Sequence, residues 1–311
     1  MRTWTLGQRI GLWLALTAFP AAAVLAADTP AESVPATAAP VSAATAPTKN
    51  APASEAVEPP PLHSLLQDPL RINLGAFYAS VTNLAAVGGP GGAGGVAVNL
   101  ENAFGLSDYN VVGEASLHWR FTQRWRLDLD YFNINRNGTR TLAEDITWNG
   151  TTVTAGTDVD ASAKFSDLRT AVGYSFFQRP DKEIGLGLGL HVAQSKTSIS
   201  YTGTGVAVGS GGASSANVTA PLPVLVFYSN FALTNTWAMG MRIDWLSLAY
   251  GDYSGQIRGV AVDFLYQPYK HVGFGFGWHS LALNLEVAKT DWSGTLKSGY
   301  QGPAAFVSLA Y

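Results

Sequence analysis

Cysteine is absent from the 311-residue chain, which excludes disulfide frameworks, thiolate nucleophiles and Cys-ligated metals. Charge is scarce. Asp, Glu, Lys and Arg make up 13% of the residues, against about a quarter in an ordinary soluble domain. Beyond residue 30 no apolar run approaches the roughly 20 residues that a helical membrane span needs. A formal charge of −3 argues against a nucleic-acid partner, which asks for a basic patch. What is plentiful is glycine, at 33 residues, and aromatic side chains, at 11%. That aromatic content excludes disorder over the whole chain. The combination points to alternating strands, as in an all-β, antiparallel up-and-down β-barrel that crosses lipid.

Two N-terminal zones stand apart. Arg2 and Arg9 precede an apolar stretch, Gly11 to Ala26, and Val24-Leu25-Ala26 before Ala27 supplies small residues at its end. This is the pattern of a cleaved secretory signal over residues 1–26. Its removal takes the formal charge from −3 to about −5. Residues 27–69 are dominated at first by Ala, Pro, Thr and Ser, and eight of the 16 prolines lie between Pro30 and Pro61. Such a composition cannot bury a core, so the segment is expected to be a disordered tether. Two readings of it stand: a periplasmic spacer in contact with peptidoglycan, or a plain linker.

From Leu70 onward the text changes to period two. In Val111–Phe121 the odd positions are apolar or small and the even ones include Glu114, Ser116, His118 and Arg120. Trp125, Leu127, Leu129 and Tyr131 oppose Arg126, Asp128 and Asp130. Successive strand side chains point to opposite faces, so one face suits lipid and the other a polar interior. Leu168–Phe176, Ile184–Val192, Trp237–Trp245, Val260–Tyr266 and Val272–Trp278 repeat the scheme, often with Gly or Ala on the second face. Short connections at Thr122–Arg124, Arg179–Lys182, Leu233–Thr236 and Gln267–Lys270 alternate with longer ones, three of them near 88–108, 137–158 and 202–217. Outer-membrane barrels place short turns on the periplasmic side and longer loops outside. The count is about ten strands over residues 70–311, or twelve if 94–106 or 137–158 adds a hairpin.

Ala305, Val307, Leu309 and Tyr311 alternate to an aromatic end. In this the chain resembles outer-membrane proteins of Gram-negative bacteria, whose last strand is recognised by the barrel-assembly machinery. The resemblance implies an outer-membrane address, with outer-membrane lipid and lipopolysaccharide as surroundings and Val307, Leu309 and Tyr311 as the assembly signal. A narrower resemblance lies in Gly94–Asp108, which is similar to a G-T-x-x-x-L-E-x-x-L-G-L segment that follows the first strand in a group of proteobacterial outer-membrane barrels. Leu100, Glu101, Gly105 and Leu106 match; the family's Thr is missing, and Asn102-Ala103 stands where it has an acidic pair. This implies a fold and an address, and no activity.

The expected lumen carries Glu114, His118, Arg120, Arg126, Asp128, Asp130, Asp167, Arg169, Arg242, Asp244 and Asp263. Ten strands lie nearer the filled eight-strand case than the 16–18-strand aqueous channel. Paired charges are therefore expected to fill the interior, with a narrow porin-like conduit for small solutes or ions as the alternative. A hydrolase or acyltransferase ranks third. His279 and Ser280 are neighbours and so face opposite ways, unless a bulge follows Ser280, and no triad-like constellation can be assembled. No catalytic residue, metal cluster or cofactor is expected. The glycine-alternating runs 185–189 and 273–277 lie inside strands with no following helix, so they are not nucleotide loops. Trp119, Trp125, Trp237, Trp245, Tyr266, Tyr269 and Trp278 are candidates for membrane-interface girdles. The expected role is structural or surface-interacting, without catalysis.

Overall fold

The computed structural model describes residues 62–88, 98–148, 151–202, 212–288 and 293–311. The expected signal segment, and the expected tether up to residue 61, lie outside the described residues. Ten antiparallel strands form the wall: β1 (Leu70–Gly88), β2 (Tyr109–Arg120), β3 (Trp125–Thr141), β4 (Asp158–Arg179), β5 (Lys182–Thr202), β6 (Gly212–Ala232), β7 (Trp237–Tyr250), β8 (Tyr253–Tyr266), β9 (Val272–Ala288) and β10 (Ser293–Ala310). Each pairs with its sequence neighbours, and β10 closes the ring on β1, from Arg71 opposite Ala310 to Gly88 opposite Ser293. Closure leaves no sheet edge along the lower wall, and a membrane-spanning sheet requires this of its backbone.

The ring settles the strand count at ten. Neither candidate for a further hairpin enters it. Residues 146–148 and 151–153 form a small separate ribbon. Val98–Asn99 pairs briefly with β1 and leads into a short helix, α1 (Leu100–Phe104). Two connections are shorter than expected, because β3 runs on to Thr141 and β6 already begins at Gly212.

The outer face follows the period-two pattern. Leu188 is 69% exposed, with Leu186, Leu190, Val172, Phe274, Phe276 and Trp278 also exposed around the wall. A contiguous apolar belt of this kind is untenable in water and is what lipid solvates. Strands of 12 to 22 residues exceed the 9–11 that cross a bilayer, so β4, β5 and β6 continue beyond the belt at the long-loop end.

Inside, the wall is not uniform. Charged side chains occupy the half nearer the short turns. Phe77, Val112, Ile134, Phe165, Leu222, Val224, Ile257, Leu281, Leu283 and Tyr300 form a buried apolar cluster across the interior above them. This corrects the bulge suspected after Ser280. The ladders of β9 with β8 and β10 run without a break from Trp278 to Leu283. The apolar residues change parity there because the interior itself turns apolar, while the strand stays in register.

Candidate functional site

The charged half of the lumen is an ion-pair lattice around a cavity of about 190 Å³. Arg169 is 1% exposed. It donates to both Asp244 oxygens at 3.0 and 2.9 Å and to Asp130 at 2.7 Å. Arg242 donates to the other Asp130 oxygen at 3.0 Å and approaches Asp244 to 3.2 Å. Nearer the short turns, Arg120 forms a two-pronged pair with Glu183 at 2.6 and 2.9 Å. Glu183 also accepts from Ser175 and, at 3.0 Å, from Asn230. Arg126 donates twice to Asp128 and lies over the Tyr228 ring, 3.8 Å from its centre. That ring occupies the space where a Cβ on Gly185 would stand, which gives one lumenal glycine a packing reason.

Three histidines complete the lattice, each with Nδ1 on a carboxylate: His118 on Asp128 at 2.9 Å, His191 on Asp167 at 2.7 Å and His279 on Glu114 at 3.0 Å. His279 also turns Nε2 to Asp263 at 2.9 Å. Five arginines (Arg71, Arg120, Arg126, Arg169, Arg242) and these three histidines thus meet eight carboxylates: Asp68, Glu114, Asp128, Asp130, Asp167, Glu183, Asp244 and Asp263. Carboxylates set against guanidinium and imidazole groups are what a poorly solvated interior demands.

One arrangement overturns an expectation. Ser116 and His118 are two residues apart and share the inner face. Ser116 Oγ lies 3.4 Å from His118 Nε2, and His118 reaches Asp128, so a Ser–His–Asp line does assemble. Both ends of that line have a further partner. Asn73 donates to Ser116 Oγ at 3.0 Å, and Arg126 holds the Asp128 carboxylate. The backbone here is engaged in continuous ladders among β1, β2 and β3.

Above the lattice, aromatic rings pack together inside the barrel. Phe165 stacks on Tyr300 with centres 4.6 Å apart; Phe132 packs against Phe165 at 5.9 Å and Phe77 at 5.7 Å. Higher still, α1 folds into the long-loop end. Asn99 caps its first turn by accepting from the Asn102 N–H at 2.7 Å, and Gly105 ends it at φ 67°, a left-handed conformation that favours glycine. Leu100, Phe104 and Leu106 are buried. Glu101 accepts from the Asn83 N–H and pairs with Arg136 at 2.8 Å. The four residues matching the G-T-x-x-x-L-E-x-x-L-G-L segment therefore supply two buried leucines, one buried ion pair and one helix stop.

Residues 62–69, expected to end the tether, are folded across the short-turn end. Leu62 N–H donates to the Pro180 carbonyl at 2.7 Å, and Ser64–Leu66 makes one turn of 3-10 helix that touches β6. Arg71 ties this floor to the wall through Asp68, Ser64, Ser308 and Gln267. Burial pushes the Asp68 carboxyl above its ordinary value, with Arg71 and Ser64 offsetting part of the rise. Burial, and then Arg71, depress His63 below its ordinary 6.5. His63 Nδ1 accepts from the Leu65 N–H at 3.0 Å, so protonating it breaks the cap. As pH falls below about 6.5 the undocked segment takes up a proton that the docked ring refuses, and docking weakens. Protease nicking at 62–69 is therefore expected to accelerate between pH 7.5 and 5. His63→Asn, which retains a capping oxygen, should flatten that profile; equal nicking at both pH values in the native chain would refute the mechanism.

All eleven lumenal candidates line the cavity or join its lattice. Sequence reasoning did not assign Asp68, Arg71, Glu183, His191 or His279 to this network, nor the Glu101–Arg136 pair above it. The seven aromatic candidates are exposed on the outer face. Trp119, Trp125 and Trp237 contact Phe121, Tyr174 and Tyr266 respectively near the short turns. Val307 and Tyr311 are exposed and Leu309 partly so. The loop acids Glu144, Asp145, Asp158 and Asp160 are exposed, and the last three accept hydrogen bonds from Ala155, Thr141 and Thr139. No group of three metal-ligating side chains is assembled among the described residues.

No protein-family model matches the chain, and no curated protein matches it in sequence. Among solved structures it is similar to the outer membrane protease OmpT from Escherichia coli, at 10% identity over 78% of this chain and 97% of that one, with a TM-score of 0.49. It is also similar to the translocator domain of the autotransporter NalP from Neisseria meningitidis (13%, 78% and 88%, TM-score 0.38) and to the Ralstonia pickettii toluene transporter TbuX (12%, 81% and 92%, TM-score 0.32). Identities this low leave the activity of this chain to its own geometry.

Proposed function

We propose that this chain is an integral outer-membrane β-barrel of a Gram-negative bacterium with a structural or surface-interacting role, neither catalytic nor conductive. The observation that carries the reading is a filled interior. The 62–69 floor lies across the short-turn end, the Phe132–Phe165–Tyr300 rings pack inside above the lattice, and α1 packs inside the long-loop end against β1, β3 and β4. The cavity between floor and rings, at about 190 Å³, is below the roughly 300–1,000 Å³ usual for ligand pockets. Catalysis at the long-loop end lacks a histidine, since the chain's five are His63, His118, His191, His271 and His279, all at or below the ring layer. The tether and the Gly/Ser-rich loop between β5 and β6 suit contacts with the envelope on either side of the membrane.

The test is planar-bilayer conductance of refolded residues 27–311. Silence from a barrel whose gel mobility shifts on heating is expected. Reproducible, ion-selective steps would overturn the filled-lumen reading in favour of a narrow channel through the Arg–Asp lattice.

A further inference from the structure

On the outer face, just beyond the apolar belt, four strands align one polar row. Asn135 on β3 pairs with Lys164 on β4, Lys164 with Lys196 on β5, and Lys196 with Asn217 on β6. All four side chains are exposed. Directly opposed like charges destabilise a sheet. Neither lysine has an ion-pair or hydrogen-bond partner among the described residues. The adjoining rows are Asn133, Ser166, Gln194 and Thr219 on one side and Asn137, Ser162, Ser198 and Ser215 on the other. These are neutral groups that hydrogen-bond, with no carboxylate among them. The nearest outward acid along β4, Asp160, is engaged by Thr139 at 2.7 Å.

Height fixes the occupant. Leu168, opposite Val192, is the last apolar pair of the belt on these two strands. Lys164 lies four residues beyond it, about 13 Å along the strand at roughly 3.3 Å per residue, or about 10 Å along the barrel axis at a tilt near 40°. Long lysine stems bend toward an interface, so the two ammonium groups fall at the headgroup layer bordering the hydrocarbon core.

We propose that Lys164 and Lys196 together bind the phosphate of a phosphorylated glycolipid headgroup in the outer leaflet, with the flanking Asn, Ser and Gln side chains meeting its sugar hydroxyls. A phosphate dianion between two opposed ammonium groups turns a repulsive pair into an attractive one. This rests on the outer-membrane reading with the long loops outside.

The test compares the refolded chain with Lys164→Gln/Lys196→Gln in detergent micelles, using bisphosphorylated lipid A, dephosphorylated lipid A and inorganic phosphate as probes. Native mass spectrometry should show the bisphosphorylated lipid bound at least tenfold more weakly by the double variant. The native chain should hold the dephosphorylated lipid no better than the variant does. The thermal midpoint supplies a sign that a merely structural pair would not give: without lipid the variant should match or exceed the native chain, and with lipid A it should fall below it. The same sign in both conditions overturns the proposal, as does an equal loss in Lys297→Gln, whose cross-strand neighbours are Leu84 and Asn284. Competition by inorganic phosphate would identify a free-anion site and overturn the lipid assignment. Absence of a heat-dependent gel shift in the native chain would instead sink the membrane-barrel reading beneath it.

Discussion

Replacing Arg169 by Gln is expected to destabilise the barrel by about 3–5 kcal/mol, the range for breaking a buried ion pair from one side. Arg169 donates three hydrogen bonds to two carboxylates on strands β3 and β7 and is 1% exposed. Its loss leaves Arg242 reaching both Asp130 and Asp244, at 3.0 and 3.2 Å, with His191 Nε2 3.8 Å from Asp244, so the cost should lie toward the lower end. Removing charge in a balanced way is different. Arg169→Met with Asp244→Leu should recover much of the loss, because a buried pair exchanged for apolar groups of similar volume is often neutral. Urea midpoints in detergent micelles measure both. If Arg169→Gln were neutral, the interior would be wet enough to solvate two carboxylates, and the lattice would not be holding the lumen together.

The outer wall was legible because lipid admits few residue types. Leu186, Leu188 and Leu190, or Phe274, Phe276 and Trp278, alternate so cleanly that strand, phase and face follow from the text. The lower lumen was legible for the complementary reason: Glu114, His118, Arg126, Asp128 and Asp130 can only face inward. The upper lumen was not. There the inner face turns apolar while the outer one carries Ser280, Ala282 and Asn284, so Leu281 and Leu283 looked like a phase error when they mark the start of a core. Glu183 sits beside the Arg179–Lys182 turn and looks like surface charge, while the pair that buries it, Arg120, comes from 63 residues away. The Ser116–His118–Asp128 line needed the β2–β3 register, with His118 opposite Asp128. The floor was hidden by the proline-rich text before it, although Leu62, Leu65 and Leu66 were an apolar signal at its end.

Phe165 gives the sharpest distinction between a filled barrel and a conduit. Phe165→Ala should cost about 3–5 kcal/mol, the range for emptying an aromatic site in a packed core. The ring is 5% exposed, stacks on Tyr300 at 4.6 Å and touches Phe132 at 5.9 Å. Hydrogen-bonded walls on β4 and its neighbours cannot collapse into the space, so the cavity term remains. Phe165→Leu keeps much of the volume and should cost less than about 1.5 kcal/mol. In an aqueous pore the same ring would face water, and truncating it would leave stability nearly unchanged while widening the path for ions. The filled barrel predicts the opposite pairing: Phe165→Ala lowers the urea midpoint strongly and conducts no better than the native chain, because the floor and the rest of the apolar cluster still fill the lumen. Retained stability together with new conductance would show that the rings gate a channel; lost stability without conductance is the signature of a core that happens to lie inside a barrel.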